Sequence, residues 1–397
     1  MSLLFAKSGR NLGLVLLVAL FRLPIGVGPA AADCDGPVSQ RLAILLHKVE
    51  TGLKQPDHEA VLALLEGFVR DYPQEKHYLI YSHLGNLYDA GKQARKALAA
   101  YGEALVLCPE KAWLWRNQAK IAWDLKDFTL AADSLLKAHA LKPDHELLFS
   151  AVVACIHAER KDQALELLET LFAQARGVGK DVWLETYVSL GCERREFKRV
   201  AGSLEKWRPW LEGREIFWYM RAVLELQQQH YEAAAADLEI LASFGPLPRP
   251  RKRLLADLLL QIKIPLRAAE LYEDLLIETP THQCLYEALI TSYRLGLKPE
   301  LALATVERAL RQGGANPALL RSQGELYFEL GRYEEAFAAF AELARLEPED
   351  GNAYLKQGYC ALRLEKKDLA RKLLGRAAHC KSARKEARRL LRWLDHG

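Results

Sequence analysis

The feature that most constrains this chain is a period. A small residue opens an apolar pattern at Ala97, Ala131, Ala164, Val200, Ala234, Ala268, Ala302, Ala336 and Ala370. The gaps are 34, 33, 36, 34, 34, 34, 34 and 34 residues. Chance does not give five consecutive gaps of one length. Read backwards, the register reaches a poorer first unit with Ala60 in this place. Such a period means that one supersecondary unit recurs, and that each unit buries its apolar face by stacking on its neighbours.

The clearest unit runs from Pro317 to Asp350. A first helix is expected from about Ala318 to Leu330, stopped by Gly331, a residue suited to ending helices. A second is expected from Tyr333 to about Leu346, with Pro348 behind it, because proline cannot continue a helix. Gly324 and Ala336 are the small residues where two antiparallel helices approach, and Tyr327 and Phe340 fill the space beside them. The unit at 78–111 repeats this with Gly85, Tyr88, Ala97, Tyr101, Ala104 and Pro109. The next carries Trp115, Ala119, Ala131, Ala138 and Pro143.

The period and these residues resemble the tetratricopeptide repeat family. The resemblance covers roughly residues 41–384 in about ten units. It implies an all-α fold, an α-solenoid of helix-turn-helix repeats wound as a right-handed superhelix, with first helices lining a concave groove. In that family the groove commonly binds peptides or partner proteins. Fold alone does not assign function, which lives in the site.

Departures mark the middle of the chain. Val152 and Val188 stand where the small residue belongs, Gly177 and Gly179 lengthen one link, and Arg208-Pro209-Trp210 interrupts the next. With Trp183, Trp207 and Trp218 this makes an aromatic-rich patch, read as a repacked hinge or as a separate binding surface. The expected organisation is a signal segment at 1–32, an N-terminal region with a degenerate repeat at 33–77, a repeat block at 78–180, and an irregular hinge at 181–214. A second block follows at 215–382, then a basic capping helix at 383–397. That helix sets Leu390, Leu391 and Trp393 on one side and Arg384, Lys385, Arg388, Arg389 and Arg392 on the other. A cap of this kind covers the last apolar face and shows a polar face to water, and its charge also suits an anionic surface.

The chain's start points to export. Lys7 and Arg10 precede an apolar run from Leu12 to Phe21, too short to span a bilayer as a helix, and Ala30-Ala31-Ala32 offers a small-residue cleavage site before Asp33. The expectation is a periplasmic or secreted protein of a bacterial cell envelope, the alternative an inner-membrane anchor left uncleaved. The seven cysteines (Cys34, Cys108, Cys155, Cys192, Cys284, Cys360 and Cys380) have irregular spacing and no metal pattern. They read as small buried residues, with one or two disulfides open to an oxidising compartment. Net charge is +4, but between Arg363 and Arg392 twelve basic residues face three acidic ones. That is a local asymmetry rather than the overall basicity of a nucleic-acid binder.

No catalytic constellation appears. There is no HExxH, no GxSxG and no glycine-rich phosphate loop after a strand, and the histidine pairs His77/His83 and His139/His145 are six apart. The expectation is a non-enzymatic scaffold without metal or cofactor. The family register makes Asn86, Asp89, Trp113, Arg116, Lys120, Trp123 and Asp124 groove-facing, together with Ser82, Tyr219, Arg253, Asp257, Arg294, Arg321, Glu325 and Phe328. Aromatic faces mixed with charge suit an extended peptide of a partner protein. The alternative is a glycan chain stacked on Trp113 and Trp123, as in a polysaccharide-secretion component. The carboxylate clamp of some family members is not matched: only Asn86 and Asn117 agree, while Ser82, Glu146 and Ser150 depart from it.

Overall fold

The computed structural model describes residues 34, 38–55 and 58–396. Among them are 21 helices and no strand. The proposed leader falls outside the described residues, and no described helix is long and apolar enough to cross a membrane.

Two compact units meet in sequence at Gly213 and Arg214. The first holds five hairpins. They are α1 (Gln40–Gly52) with α2 (His58–Asp71), α3 (Tyr78–Ala90) with α4 (Ala94–Leu107), α5 (Ala112–Asp124) with α6 (Phe128–Leu141), α7 (His145–His157) with α8 (Lys161–Ala175), and α9 (Asp181–Glu193) with α10 (Phe197–Leu211). The second holds α11 (Glu215–Gln227) with α12 (Tyr231–Ser243), α13 (Arg249–Gln261) with α14 (Pro265–Glu278), α15 (Gln283–Leu295) with α16 (Pro299–Gly313), α17 (Pro317–Glu329) with α18 (Tyr333–Leu346), and α19 (Gly351–Arg363) with α20 (Lys367–His379). α21 (Arg384–His396) closes it. This is the expected α-solenoid of helix hairpins.

Nine of the ten hairpin turns, all but that between α1 and α2, are built alike. The backbone turns left-handed at Lys92, Lys126, Glu159, Arg195, Gln229, Lys263, Leu297, Gly331 and Glu365. The amide of the following residue then reaches back to the first helix, as Gln93 N does to Tyr88 O at 2.8 Å and Arg332 N to Tyr327 O at 2.8 Å. This six-to-one bond satisfies a carbonyl that the helix end would leave orphaned. Only Gly331 holds the left-handed place without a side-chain cost. Asp127, Asp144, Asn316 and Asp350 cap helix starts with their side chains.

Within a hairpin, a small residue on the first helix admits a large one from the second. A Cβ on Gly324 would stand 2.7 Å from the Phe340 ring, and one on Gly85 would stand 2.9 Å from Tyr101. Ala336 is fully buried in the same core as Phe340 and Leu343. The pairing expected from the period is therefore the packing observed.

The irregular middle repacks with aromatics. Trp183, Trp207 and Trp218 are all buried. Trp207 stacks on Phe172 at 4.3 Å and lies 5.0 Å from Tyr187, and Trp183 packs near Phe149 at 6.0 Å. These rings serve as core, so the patch is not an open binding surface at those three positions. Pro209 sits inside the last turns of α10, where it has no N–H to donate to the preceding turn.

One expectation for α21 needs correction. Ala383, Ala387 and Leu394 are buried and Leu390 and Leu391 pack against the same cluster, but Trp393 is 62% exposed. The core line steps through residues 383, 387, 390 and 394. Residue 393 sits about 100° round the helix from 394, outside that stripe.

Candidate functional site

α3 and α5 are the first helices of successive hairpins, and they carry all seven candidate residues. Lys120 on α5 donates to Asp89 on α3, a half-buried ion pair that ties one hairpin to the next. Asp124 lies one turn beyond Lys120. Partial desolvation raises its carboxyl above the ordinary range, Lys120 opposes the rise, and Asp89 adds to it. Asn86, a turn before Asp89, accepts a hydrogen bond from the Tyr101 hydroxyl.

Tyr101 belongs to α4, a second helix, and sequence reasoning placed it in the core without giving it a part in the site. It reaches the first-helix face because Gly85 leaves room for its ring. Burial raises its pKa, the charge of Asp89 adds to this, and a hydrogen bond with Asn117 opposes it. Tyr101 therefore remains a protonated donor that holds Asn86 in place. A signal for this existed: Tyr272 occupies the same place five units later, and its hydroxyl donates to Asp257 at 2.6 Å.

Arg116 is half-buried on α5, one turn before Lys120. Among the described residues it has no acidic partner. Trp113 is half-buried and packs 6.4 Å from the Tyr78 ring. Trp123 is met edge-on by Phe128 and His157, each at 5.1 Å. Ser82, expected on the groove, is 2% exposed and donates to Leu79 O, so it lines nothing. Its small side chain folds back onto its own helix, a common use of serine. At the clamp places, Glu146 pairs with Lys180 at 2.7 Å and Ser150 donates to Glu146 O.

In the second unit the named residues are engaged with one another or with their neighbours. Arg294 binds Glu325 at 3.2 Å and Glu329 at 2.9 Å. Arg321 binds Glu347 and Asp350, and Arg253 lies 3.7 Å from Asp257. Tyr219 lies 3.8 Å under Arg251, and Phe328 packs edge-on to Tyr333. An open cleft of about 660 Å³ is lined by Thr291, Arg294, Leu295, Leu297, Pro299 and Glu329. Its charged residues, Arg294 and Glu329, are that ion pair.

Among the described residues, one cluster could present three metal-binding atoms: Cys34, Cys108 and Glu110. Its two sulfurs form a disulfide, with the Cα atoms 5.6 Å apart. This separation falls within the normal range for such a bond.

Residues 83–146, 217–282 and 291–350 match the family model described as tetratricopeptide repeat. No curated protein matches the sequence significantly. Among solved structures, the chain is similar to one of Naa15/Naa10 bound to HypK-THB, at 15% identity and a TM-score of 0.48. That match covers 87% of this chain and 64% of the other. It is also similar to the MamA protein, at 15% identity and a TM-score of 0.37 over 43% of this chain and 94% of the other. Yeast Tom70 matches at 12% identity and a TM-score of 0.33, over 89% of this chain and 95% of the other.

Proposed function

Since the chain belongs to the tetratricopeptide repeat family, we propose that it is a non-enzymatic scaffold binding an extended segment of a partner protein. The binding face is the α3–α5 face, with Asn86, Asp89, Arg116, Lys120 and Asp124 as its polar contacts. The carrying observation is Arg116: a half-buried cation with no acidic partner among the described residues, on a face whose other charges are already positioned. An acidic side chain of a partner would complete it. Recognition by charge at fixed places gives register and speeds association. Trp113 and Trp123 are each taken up by neighbouring rings, which favours a protein ligand over a glycan stacked on open indoles.

The reading places the protein outside the cytosol, in a bacterial envelope. Support comes from the leader pattern at 1–32 and from a disulfide, which persists in oxidising compartments. A second contact is proposed at α21. Lys385, Arg388 and Arg392 are exposed with no acidic partner among the described residues, beside the exposed Trp393. That combination suits an anionic surface.

A photoreactive residue placed at 116 tests the main reading in cells, with one at the exposed position 137 on α6 as control. A discrete cross-linked protein from 116 and none from 137 is the expected result. Equal labelling from both positions would remove the assigned face.

A further inference from the structure

In a repeat stack each hairpin is stabilised through its interfaces with its neighbours, and the first hairpin among the described residues, α1–α2, makes a thin one. α1 buries only Leu42, Leu45 and Val49, and α2 only Val61, Leu65 and Phe68, whereas α3 buries eight residues. The polar ties at this end are exposed ones: the Tyr88 hydroxyl on α3 donates to Glu66 on α2 at 2.7 Å. Ser39 and Arg41 both bind Glu75, at 2.6 and 2.8 Å, and Arg41 lies 4.2 Å over Tyr72. Exposed pairs of this kind are worth little.

Across this end runs the one covalent tie among the described residues. Cys108 is fully buried just past the end of α4, its amide bonded to Ala104 O. Cys34 is half-buried against the same apolar cluster, with Glu110 beside its sulfur. Five residues lie between Cys34 and Gln40, at most about 20 Å of chain. The start of α1 is therefore held close to the end of α4, in the next hairpin.

We propose that the Cys34–Cys108 bond is a covalent cap: made in an oxidising compartment, it locks the α1–α2 hairpin onto the second and supplies the restraint that its thin apolar interface does not. The inference shares the export reading above but is independent of the binding face. The step balances as thiol–disulfide exchange. The Cys34 thiolate attacks the disulfide of an oxidant, such as an exported dithiol oxidase or oxidised glutathione, and releases one of its sulfurs as a thiolate. The Cys108 thiolate then attacks Cys34 Sγ in the mixed disulfide and expels the other. Two protons and two electrons leave the protein, and the oxidant departs as two thiols.

Three of the remaining cysteines are poorly placed to compete with this pair. Burial pushes the Cys155, Cys192 and Cys360 thiols up to about 11, so few are thiolates at neutral pH. None of the five free cysteines is paired with another in the structure. A metal site is the rival use of the cluster. Two sulfurs and one carboxylate give three ligands, where a structural zinc takes four.

The test uses the full chain, reduced and then treated with oxidised glutathione. Peptide mass spectrometry should find Cys34 joined to Cys108 and five cysteines still alkylated. Hydrogen exchange across α1 and α2 should slow at least tenfold on oxidation, with the second unit unchanged. Because a change at buried Cys108 could prevent folding, Cys34→Ser is the variant, and its α1–α2 exchange should stay at the reduced rate whatever the oxidant. A different pairing, unchanged exchange in α1–α2, or zinc bound tightly by the reduced chain would overturn the cap. Thiol trapping in intact cells separates the two readings: free Cys34 and Cys108 there, with correct pairing and protection in glutathione, would refute export and leave the cap standing.

Discussion

The two units place an ion pair between the same two places of successive first helices, with the signs exchanged. In the first unit Lys120 is the cation and reaches back to Asp89. In the second, Glu325 stands at the later place and Arg294 at the earlier one. The repeat geometry thus fixes where a pair can form, and the sequence is free to choose its polarity. The units differ in what is left over. Arg253, Arg294 and Arg321 each have carboxylates nearby, while Arg116 has none among the described residues. On the reading proposed above, the unmatched Arg116 is the place that a partner's carboxylate would complete, whereas the paired arginines of the second unit leave no such place.

Several changes would break or sharpen this contrast. The largest effect is expected in the paired aromatic places. Phe340→Ala should cost about 3–5 kcal/mol, since it empties a close-packed site against Gly324. Tyr101→Ala should cost a similar amount by chemical denaturation and also weaken partner binding, because Asn86 loses its support. If both variants lowered stability and neither touched binding, Asn86 would be no part of the face.

The charge contrast gives the next effect. Arg116→Glu with Lys120→Glu should weaken the cross-linked partner's binding by about 2–3 kcal/mol, slow its association and flatten its salt dependence. Arg294→Glu should leave binding unchanged and cost at most about 1 kcal/mol of stability, since its pairs are partly exposed. Binding titrations at two salt concentrations read both, and equal losses from the two units would erase the distinction.

Ala336→Leu should cost roughly 1–3 kcal/mol by overpacking a fully buried contact, and Ala336→Ser less. An unchanged melting temperature for the leucine variant would contradict the close approach of α17 and α18. Smaller still are the turns. Leu297 is left-handed and 84% exposed, so Leu297→Gly should add about 0.5–1 kcal/mol by relieving backbone strain. Gly331→Ala at the matching place should lose about 1 kcal/mol. Opposite shifts in thermal midpoint are expected, and shifts of the same sign would refute the common turn geometry.

Much of the fold was legible because a repeat is a one-dimensional object. Gly324 and Phe340, or Gly85 and Tyr101, lie within a single hairpin, so their spacing in sequence is their neighbourhood in space. The candidate face was legible only as a set of places. Nothing in the period tells that Ser82 turns back on its own helix, or that Phe128 and His157 close on Trp123. The role of Tyr101 was hidden because it crosses from the second helix to the first. Trp393 was misplaced because a short amphipathic helix leaves a residue at the stripe's edge free to fall either way.

By itself, then, the sequence determined the helical hairpins, their number, their turns and the small residues that let them pack, since all of these follow from local periodicity and backbone preference. The tertiary structure alone decided which charges meet, which cation is left unmatched, which tryptophans become core, and which of seven cysteines pair. Those outcomes depend on the reach of side chains between hairpins, and Cys34 and Cys108, 74 residues apart, become neighbours only when the chain has folded back past its second hairpin.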